Sequence, residues 1–237
     1  MITRLVREIE TNGFTIVDRY LDAGSISGLI RDLSVLDDTC DRAGVRNLLE
    51  LAPNVRNLAR SKQILALVAP ILGDRARLVR GIFFDKQPGV NWKVPWHQDL
   101  TIAVKQRLDI PDYHPWSVKA AIPHVRPPVA ILEQMLTVRI HLDRTDESNG
   151  ALKVIPGSHC HGKLTDVEID RQKRTTEPIF TNCEAGGILL MRPLLLHASS
   201  MGTWQSQHDV NIPSHRRVIH LEYTNARLAD GLEWFYE

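Results

Sequence analysis

The sequence predicts an α+β fold that is mainly β and is built on an antiparallel barrel or sandwich. Apolar residues recur at helical spacing before residue 75, and short strand-like segments separated by turn residues follow. Two of the later segments also alternate apolar and polar residues along their length. Helices that precede a run of short strands are typical of an antiparallel core covered by helices on one side.

The first part of the chain, residues 1–75, is predicted to be a mostly helical flank. A short apolar stripe precedes Gly13, which is followed by a predicted strand over residues 14–17. A second apolar stripe recurs at helical spacing and comprises Ile26, Leu29, Ile30, Leu33 and Leu36. A further helix is predicted after Pro53, ending at Gly73, and its buried side carries Ile64, Leu65, Leu67 and Val68.

The rest of the chain, residues 76–237, is predicted to form the barrel core, which makes residues 1–237 a single domain. Its predicted strands cover residues 78–84, 136–142, 151–155, 188–191, 194–197 and 218–223. The dipeptide Asn149-Gly150 predicts a hairpin between two of them. Residues 100–130 contain several prolines without periodicity and are interpreted as an insertion or lid. The polar residues 200–214 are interpreted as a connection over the mouth of a site.

Alternation in two of the predicted strands indicates where a site would lie. In residues 136–142, aliphatic side chains occupy one face, and the other face carries Thr137, Arg139 and His141. In residues 216–223, the face opposite the aliphatic residues carries Arg216, His220 and Glu222. If the apolar faces pack under the N-terminal helices, the polar faces line a cavity inside the barrel.

The composition excludes several classes of partner. Lys and Arg number 29 and Asp and Glu 28, so the net charge of +1 does not indicate binding to nucleic acid or to an anionic membrane. No run of about 18 apolar residues is present, and the start of the sequence lacks the apolar block of a signal peptide. The three scattered cysteines, Cys40, Cys160 and Cys183, favour a reducing cytoplasmic setting without disulfides.

The segment Trp96-His97-Gln98-Asp99 and the later His197 form the most informative pattern in the chain. Side chains two residues apart on a strand point to the same side, so His97 and Asp99 can present an imidazole and a carboxylate together. His197 ends an apolar run and could complete a three-point face around one metal ion. Two imidazoles and one carboxylate are the ligand set of a non-haem Fe(II) oxygenase. Taken singly, each residue has a simpler interpretation, as an exposed histidine or as a turn aspartate.

A basic side chain is expected near such a metal if the cosubstrate is a 2-oxo acid. The far carboxylate of that acid needs a cationic partner, and the planar fork of arginine matches carboxylate geometry best. Arg216 and Arg217 begin the strand that follows His197, and either could provide this partner. The alternation described above favours Arg216, because it places that residue on the cavity face.

Several motifs in fixed order extend this pattern across nearly the whole chain. They are Gly13-Phe14, His97-Gln98-Asp99, Asn149-Gly150-Ala151-Leu152, Pro156-Gly157-Ser158-His159, His197-Ala198-Ser199 and Arg216-Arg217-Val218. In this combination the chain resembles the phytanoyl-CoA dioxygenase family of Fe(II)- and 2-oxoglutarate-dependent oxygenases. The resemblance implies a double-stranded β-helix, which is a jelly-roll or cupin-like barrel, flanked by N-terminal helices.

The resemblance also implies roles for individual residues. His97, Asp99 and His197 would hold Fe(II), Arg216 would anchor 2-oxoglutarate, and Ser199 would lie near the same carboxylate. Arg139 occupies an inward position beside the cosubstrate, where it could bind the cosubstrate, bind an acidic substrate or form a buried ion pair. The implied reaction uses O2 to hydroxylate a small organic substrate while 2-oxoglutarate is decarboxylated to succinate.

Other interpretations of the same site stay open at this point. A cupin-like metalloenzyme, either a zinc hydrolase or a dioxygenase independent of 2-oxoglutarate, could use the same three ligands. A binding domain with a vestigial site is a third possibility. Pro156-Gly157-Ser158-His159 is interpreted as a structural turn and not as a Ser–His nucleophile pair. The sequence shows no basic cluster for the phosphates of CoA, and it identifies neither the substrate nor the oligomeric state.

Overall fold

The structure is a computed structural model, and it describes residues 2–39, 44–203, 215–229 and 231–236. Most of the connection interpreted over residues 200–214 lies outside these residues. The described helices are α1 (Ile2–Asn12), α2 (Ala23–Leu33), α3 (Leu48–Leu51), α4 (Pro53–Ala59), α5 (Lys62–Leu72), α6 (Val129–Glu133) and α7 (Asp166–Thr175). Within these ranges, no helix combines the length and the apolar character that crossing a membrane requires.

The strands form three antiparallel sheets. They are β1 (Phe14–Val17), β2 (Arg77–Lys86), β3 (Val94–His97), β4 (Ile102–Ala103), β5 (Trp116–Lys119), β6 (Ile122–Val125), β7 (Met135–His141), β8 (Leu152–Val154), β9 (Ile179–Phe180), β10 (Ile188–Met191), β11 (His197–Ser199) and β12 (Arg216–Thr224). The large sheet has the order β1-β10-β7-β12-β2, the small sheet β3-β11-β8-β9 and the insertion sheet β4-β6-β5. This arrangement confirms the predicted α+β, mainly antiparallel jelly-roll fold.

Helices α1, α2, α4 and α5 cover the outer face of the large sheet. Asp22 and Ser61 cap α2 and α5, because their side chains accept hydrogen bonds from the first-turn backbone N–H groups. The apolar stripes of the helices join one hydrophobic cluster with alternate residues of β7, β10 and β12, among them Leu136, Val138, Ile140, Leu190, Ile219, Leu221 and Tyr223. Removal of this apolar surface from water holds the helices on the sheet.

The inner face of the large sheet carries the polar residues that alternate with this core. Arg139 of β7 and Arg216 and His220 of β12 line a cavity of about 580 Å³, and His197 of the small sheet lies on its other wall. The cavity therefore lies between the two sheets, as the alternation predicted. Strand β2 contributes Arg80, Ile82, Phe84 and Lys86 to the same surface.

Two local predictions are wrong. Residues 194–196 form a turn, and β11 begins only at His197. Their leucines are buried by packing and not by strand pairing, a difference that an apolar run does not reveal. Asn149-Gly150 does not form a hairpin, since β7 and β8 belong to different sheets. The dipeptide instead ends the 3-10 helix Glu147–Asn149, with Gly150 in the left-handed conformation at a φ of 85°.

Residues 100–130 are more regular than the sequence indicated. They contain the insertion sheet, in which Ile102 pairs with Val125 and Trp116 also pairs with Val125. These strands are two to four residues long, too short for alternation to reveal them. The segment also contributes Leu100, Thr101, Lys119 and Arg126 to the cavity wall. The insertion is therefore part of the site.

We expect Tyr223→Phe to reduce the free energy of unfolding by about 1 kcal/mol, because it removes one buried hydrogen bond and keeps the ring packing. The Tyr223 hydroxyl donates to the Ala59 carbonyl oxygen at 2.8 Å and so connects β12 to α4. Urea unfolding of both proteins measures this difference. The control is Tyr20→Phe, which removes a more exposed hydrogen bond to the Gln63 carbonyl and should have a smaller effect. Equal stabilities of Tyr223→Phe and wild type would contradict the assignment.

Candidate active site

Strand pairing in the small sheet brings two histidines together from distant parts of the chain. In the antiparallel pairing of β3 with β11, His97 and His197 are direct partners. Their ring centroids lie 4.2 Å apart with a tilt of 51°. His197 is buried, whereas His97 is half-buried at the edge of the cavity. The register of these two strands therefore fixes the spacing of the two imidazoles.

Asp99 completes the group just beyond the end of β3. Its backbone N–H donates to the Pro193 carbonyl oxygen at 2.9 Å, which holds the residue against the turn that precedes β11. Its two carboxylate oxygens each lie 3.7 Å from one imidazole Nε2, Oδ1 from that of His97 and Oδ2 from that of His197. The three potential ligand atoms all lie within 4.8 Å of one another. The structure thus brings together the three residues that the sequence singled out.

Gln98 explains why its two neighbours face the cavity. Its side chain is buried and its Nε2 donates to the carbonyl oxygens of Gly162 and Leu194, while its Oε1 accepts from the Leu164 N–H. These three hydrogen bonds hold the amide against the loop that follows the 3-10 helix Ser158–His161 and against the turn before β11. The central residue of the motif is therefore structural, a role that the sequence analysis did not assign.

Both histidines present Nε2 with a lone pair. Nδ1 of His97 lies 2.8 Å from the Pro95 carbonyl oxygen, and Nδ1 of His197 lies 2.8 Å from that of Leu195. A carbonyl oxygen only accepts, so each Nδ1 carries a proton, and in the neutral form of each ring Nε2 keeps its lone pair. Such a backbone partner orients the ring and fixes the tautomer of metal-binding histidines in general.

The electrostatics of the group favour neutral His197 and ionised Asp99. Burial lowers the pKa of His197 to about 4, even though the nearby Asp99 charge acts in the opposite direction. Burial alone would raise the pKa of Asp99, but the adjacent imidazoles outweigh it and hold that pKa below its usual range. At neutral pH His197 is therefore a neutral nitrogen donor and Asp99 an anionic oxygen donor, which fits a divalent transition metal.

The two adjacent arginines of β12 have different environments. The Arg217 side chain forms two hydrogen bonds of 2.8 Å with the Asp143 carboxylate, outside the cavity. Arg216 is buried in the cavity wall, and its Nε has no hydrogen-bond partner among the described residues. Burial and the nearby Arg139 charge lower the pKa of Arg216 to about 9. Arg216 is therefore the arginine with unused hydrogen-bonding capacity facing the site.

Ser199 lies beside a buried lysine that the sequence analysis missed. Lys86 is fully buried, and its Nζ donates to Ser199 Oγ and to the Ser200 carbonyl oxygen, each at 2.7 Å. The same Nζ lies 5.2 Å from the centre of the Trp92 ring. Burial, with smaller contributions from Arg216 and Arg139, lowers the pKa of Lys86 to about 7. Lys86 is also the cross-strand partner of Arg216.

Arg139 is held by neighbours on the large sheet. Its Nη1 lies 2.9 Å from His220 Nδ1, and its guanidinium carbon lies 5.8 Å from the centre of the Phe84 ring. Since arginine can only donate, His220 Nδ1 accepts, and its Nε2 then donates to Glu222 at 3.1 Å. Glu222 also pairs with Arg80. Arg139 forms no ion pair among the described residues, so the buried ion pair considered from the sequence is not found.

The cavity as a whole is strongly basic. Among the described residues that line it, the eight cationic side chains are Arg46, Arg80, Lys86, Lys93, Lys119, Arg126, Arg139 and Arg216, whereas Asp99 is the single carboxylate. The sequence shows no such cluster, and the fold assembles it around the cavity. At least five separate segments supply these residues, so the cluster is not visible as a run of charge in the sequence.

The Pro156-Gly157-Ser158-His159 segment is structural, as interpreted from the sequence. The Ser158 hydroxyl donates to the Ile155 carbonyl oxygen and accepts from the Leu196 N–H, so it connects β8 to the turn before β11. Gly157 adopts a φ of 76°, in the region that glycine tolerates best. Neither Ser158 nor His159 lines the cavity.

An antiparallel jelly roll with two histidines and an aspartate on its inner wall defines a class of candidate metalloenzymes. The sequence matches the family described as phytanoyl-CoA dioxygenase (PhyH) over residues 9–203, and the chain belongs to this family. One relative is a probable alpha-ketoglutarate-dependent hypophosphite dioxygenase from Stutzerimonas stutzeri, 26% identical over 187 residues. The match covers 70% of this chain and 56% of that protein, so the chain spans little more than half of its length.

Solved structures share the fold at low sequence identity. AviO1 from Streptomyces viridochromogenes Tue57 is 19% identical, with a TM-score of 0.66 over 94% of this chain and 95% of its own. The epimerase SnoN, solved in complex with Fe3+, alpha ketoglutarate and nogalamycin RO, is 17% identical, with a TM-score of 0.69 over 94% of this chain and 83% of its own. EvdMO1 has the same TM-score, 0.69, at 17% identity, and the matched region covers 95% of this chain and 50% of its own. These likenesses establish the fold.

We expect raising the pH above neutral to stabilise the wild-type protein relative to Lys86→Met. The folded protein releases the Lys86 proton near pH 7, whereas the unfolded chain keeps it until near 10.5. Between these values the unfolded chain binds more protons, so increasing pH favours the folded state. The free energy of unfolding of the wild type, relative to that of Lys86→Met, should increase by about 1 kcal/mol or more between about pH 7 and pH 9.

Denaturant unfolding at several pH values measures this difference. Lys62→Met, which removes an exposed lysine at the start of α5, is the matched control and should show no such trend. Parallel pH profiles for wild type and Lys86→Met would show that Lys86 keeps an ordinary pKa.

Proposed function

We propose that this chain is an Fe(II)- and 2-oxoglutarate-dependent oxygenase that hydroxylates a small organic substrate. The observation that carries the proposal is the convergence of His97, Asp99 and His197, whose ligand atoms lie within 4.8 Å of one another in a cavity that also contains Arg216. A zinc hydrolase could use the same three ligands, but it has no need of a buried arginine in the same cavity whose Nε has no partner among the described residues.

The three ligand residues fit Fe(II) by the chemistry of their donor atoms. Two imidazole nitrogens and one carboxylate form the facial triad of non-haem iron oxygenases, which leaves further coordination positions open. Backbone carbonyls hold both Nδ1 protons, so in their neutral form His97 and His197 present the Nε2 lone pair to the ion. Asp99 would contribute the anionic oxygen. Little rearrangement of the rings is needed to accept the ion.

Arg216, Ser199 and Lys86 fit the far carboxylate of 2-oxoglutarate. Arg216 offers a guanidinium with a buried, unpartnered Nε, and Lys86 places an ammonium on Ser199. A carboxylate bound there would offset the repulsion of Lys86 by Arg216 and of Arg216 by Arg139, which adds to burial in lowering the pKa values of Lys86 and Arg216. Arg139 adds positive potential to the same region, and we assign it to cosubstrate binding as well.

The bound iron and O2 would supply the oxidising chemistry, in which 2-oxoglutarate is decarboxylated to succinate and the substrate gains a hydroxyl group. The protein provides binding and orientation. Phe84 and Trp92 provide apolar surface beside the cosubstrate region. His220 connects Arg139 to Glu222 by hydrogen bonds and so orients the Arg139 side chain. Leu100 and Thr101 form part of the opposite boundary.

The similar proteins support the proposal through their descriptions. The hypophosphite dioxygenase is described as alpha-ketoglutarate-dependent, and the SnoN complex contains Fe3+ and alpha ketoglutarate. We extend the proposal to a single catalytic domain over residues 1–237, acting on a small molecule and not on nucleic acid or membrane. A reducing cytoplasmic setting is supported by Cys160 and Cys183, which are both unpaired in the structure.

We expect wild-type protein to bind Fe(II) under anaerobic conditions and to develop a weak visible charge-transfer band when 2-oxoglutarate is added. Asp99→Ala should lose this band, because removal of the anionic ligand weakens metal binding. Absorption titration measures both effects. Asp170→Ala, which removes an exposed carboxylate on α7, is the control and should behave as wild type. Tight zinc binding with hydrolytic activity and no such band would favour the zinc hydrolase.

We expect Arg216→Ala to weaken 2-oxoglutarate binding by about 2–5 kcal/mol while leaving Fe(II) affinity close to wild type. The loss is large because a desolvated carboxylate would be left without its main charged partner. Calorimetric titration of the Fe(II)-loaded protein measures it. Arg217→Ala is the matched control, since Arg217 pairs with Asp143 outside the cavity. Unchanged binding in Arg216→Ala, with loss in Arg217→Ala, would reverse the assignment of the anchor.

A further inference from the structure

The basic cavity has two ends that lie far apart along β2 and β12. Lys86 pairs with Arg216 at one end of the two strands, and Arg80 pairs with Glu222 toward the other. Lys86 and Arg80 are six residues apart on the same face of β2, which corresponds to about 20 Å along an extended strand. We call the region of Lys86, Ser199 and Arg216 the Arg216 end.

The opposite region, which we call the Arg80 end, contains Arg46, Arg80, Lys119 and Arg126. Arg80 Nη1 donates to the Thr101 carbonyl oxygen at 3.4 Å. Thr101 precedes β4, whose Ile102 pairs with Val125, so Arg126 lies beside Thr101 at the edge of the insertion sheet. An isolated bridge between Val45 and Phe83 brings Arg46 next to β2 from the other side.

Among the described residues that line the cavity, the cations at the Arg80 end outnumber the carboxylates. Glu222 pairs with Arg80, and Asp99 belongs to the proposed metal site. Burial and the charges of Arg46 and Arg80 lower the pKa of Lys119, which indicates that these cations are close enough to repel one another. Nε of Arg126 is buried and has no hydrogen-bond partner among the described residues. The region therefore combines clustered cations with an unused donor on Arg126.

2-Oxoglutarate does not account for this second group of cations. Its carboxylates are assigned to the metal and to the Arg216 end, and a five-carbon dicarboxylate is too short to reach the Arg80 end as well. A single carboxylate on the substrate would need one arginine. A group with two negative charges and three acceptor oxygens matches several cations better, and phosphoryl and phosphonyl groups have this character.

We propose that the substrate carries a dianionic phosphoryl or phosphonyl group and that Lys119 and Arg126 bind this group at the Arg80 end. This inference rests on the proposed oxygenase function, because it places the rest of the substrate toward His97, Asp99 and His197. Arg46 and Arg80 add positive potential around the bound group. Binding of the anion would remove the repulsion that now acts on Lys119.

The test is calorimetric titration of the full chain with methylphosphonate, at a pH where this probe is a dianion. It is performed once without additions and once under anaerobic conditions with Fe(II) and saturating 2-oxoglutarate, which occupies the Arg216 end. We expect one equivalent to bind in both cases and methanesulfonate, a single negative charge of similar shape, to bind more weakly. Lys119→Gln and Arg126→Gln should each weaken methylphosphonate binding by about 10- to 100-fold, because each removes a hydrogen bond to a charged group.

Two controls identify the site that binds the probe. Lys62→Gln removes an exposed lysine outside the cavity and should bind methylphosphonate as wild type does. Lys119→Arg restores the charge and should recover most of the affinity that Lys119→Gln loses. Unfolding temperatures equal to that of wild type establish that the variants are folded. Absence of saturable binding to wild type, or unchanged affinity in both glutamine variants, would overturn the proposal.

Failure of this inference is distinct from failure of the proposed function. If 2-oxoglutarate binds in an Arg216-dependent manner but methylphosphonate does not, the oxygenase proposal stands and the substrate class is wrong. If methylphosphonate binding depends only on Arg216, the probe occupies the cosubstrate region and the Arg80 end is not its site. If 2-oxoglutarate does not bind, the oxygenase proposal fails, and the titration without additions still decides whether Lys119 and Arg126 bind the anion.

Discussion

The cross-strand pair of His97 and His197 is the constraint on which the site depends. Antiparallel pairing of β3 with β11 brings the two residues face to face, and a slip of one residue would turn one imidazole to the opposite face of the sheet. Gln98 and Ser158 stabilise this register because their side chains form hydrogen bonds with the backbone of the residues just before β11. The buried turn at residues 194–196 is therefore part of the machinery that sets the imidazole spacing, although none of its side chains lines the cavity.

The large sheet combines two demands that oppose each other. Its outer face packs against α1, α2, α4 and α5 and provides most of the buried apolar surface, whereas its inner face carries Lys86, Arg139 and Arg216 in a confined space. Placing like charges together away from water is unfavourable, and the lowered pKa values of these groups express that cost. Burial of the apolar outer face offsets the unfavourable burial of charge on the inner face. Because side chains alternate along a strand, each strand can contribute to both faces.

The sequence was sufficient to predict features that depend on local periodicity. Alternation correctly placed Arg139, Arg216 and His220 on the cavity face, and the segment Phe14–Val17 was predicted as a strand with its observed bounds. Features that depend on the pairing of distant segments were not predictable. Lys86 gains its significance only from its register with Arg216, and Lys119 and Arg126 reach the cavity through strands too short to show a period. The turn at residues 194–196 was mistaken for a strand because buried leucines look the same in both settings.

Different pieces of the chain build the two ends of the cavity. The Arg216 end is formed by β2, β11 and β12 of the large and small sheets, where Lys86 and Arg216 are paired in the strand register. The Arg80 end takes Lys119 from the insertion sheet and Arg126 from the position that directly follows β6. Substitutions within the insertion can alter its side chains without shifting the strands that hold the histidines. Substitutions in this short segment could therefore change substrate preference during evolution, while the strands that hold the metal and cosubstrate residues stay the same.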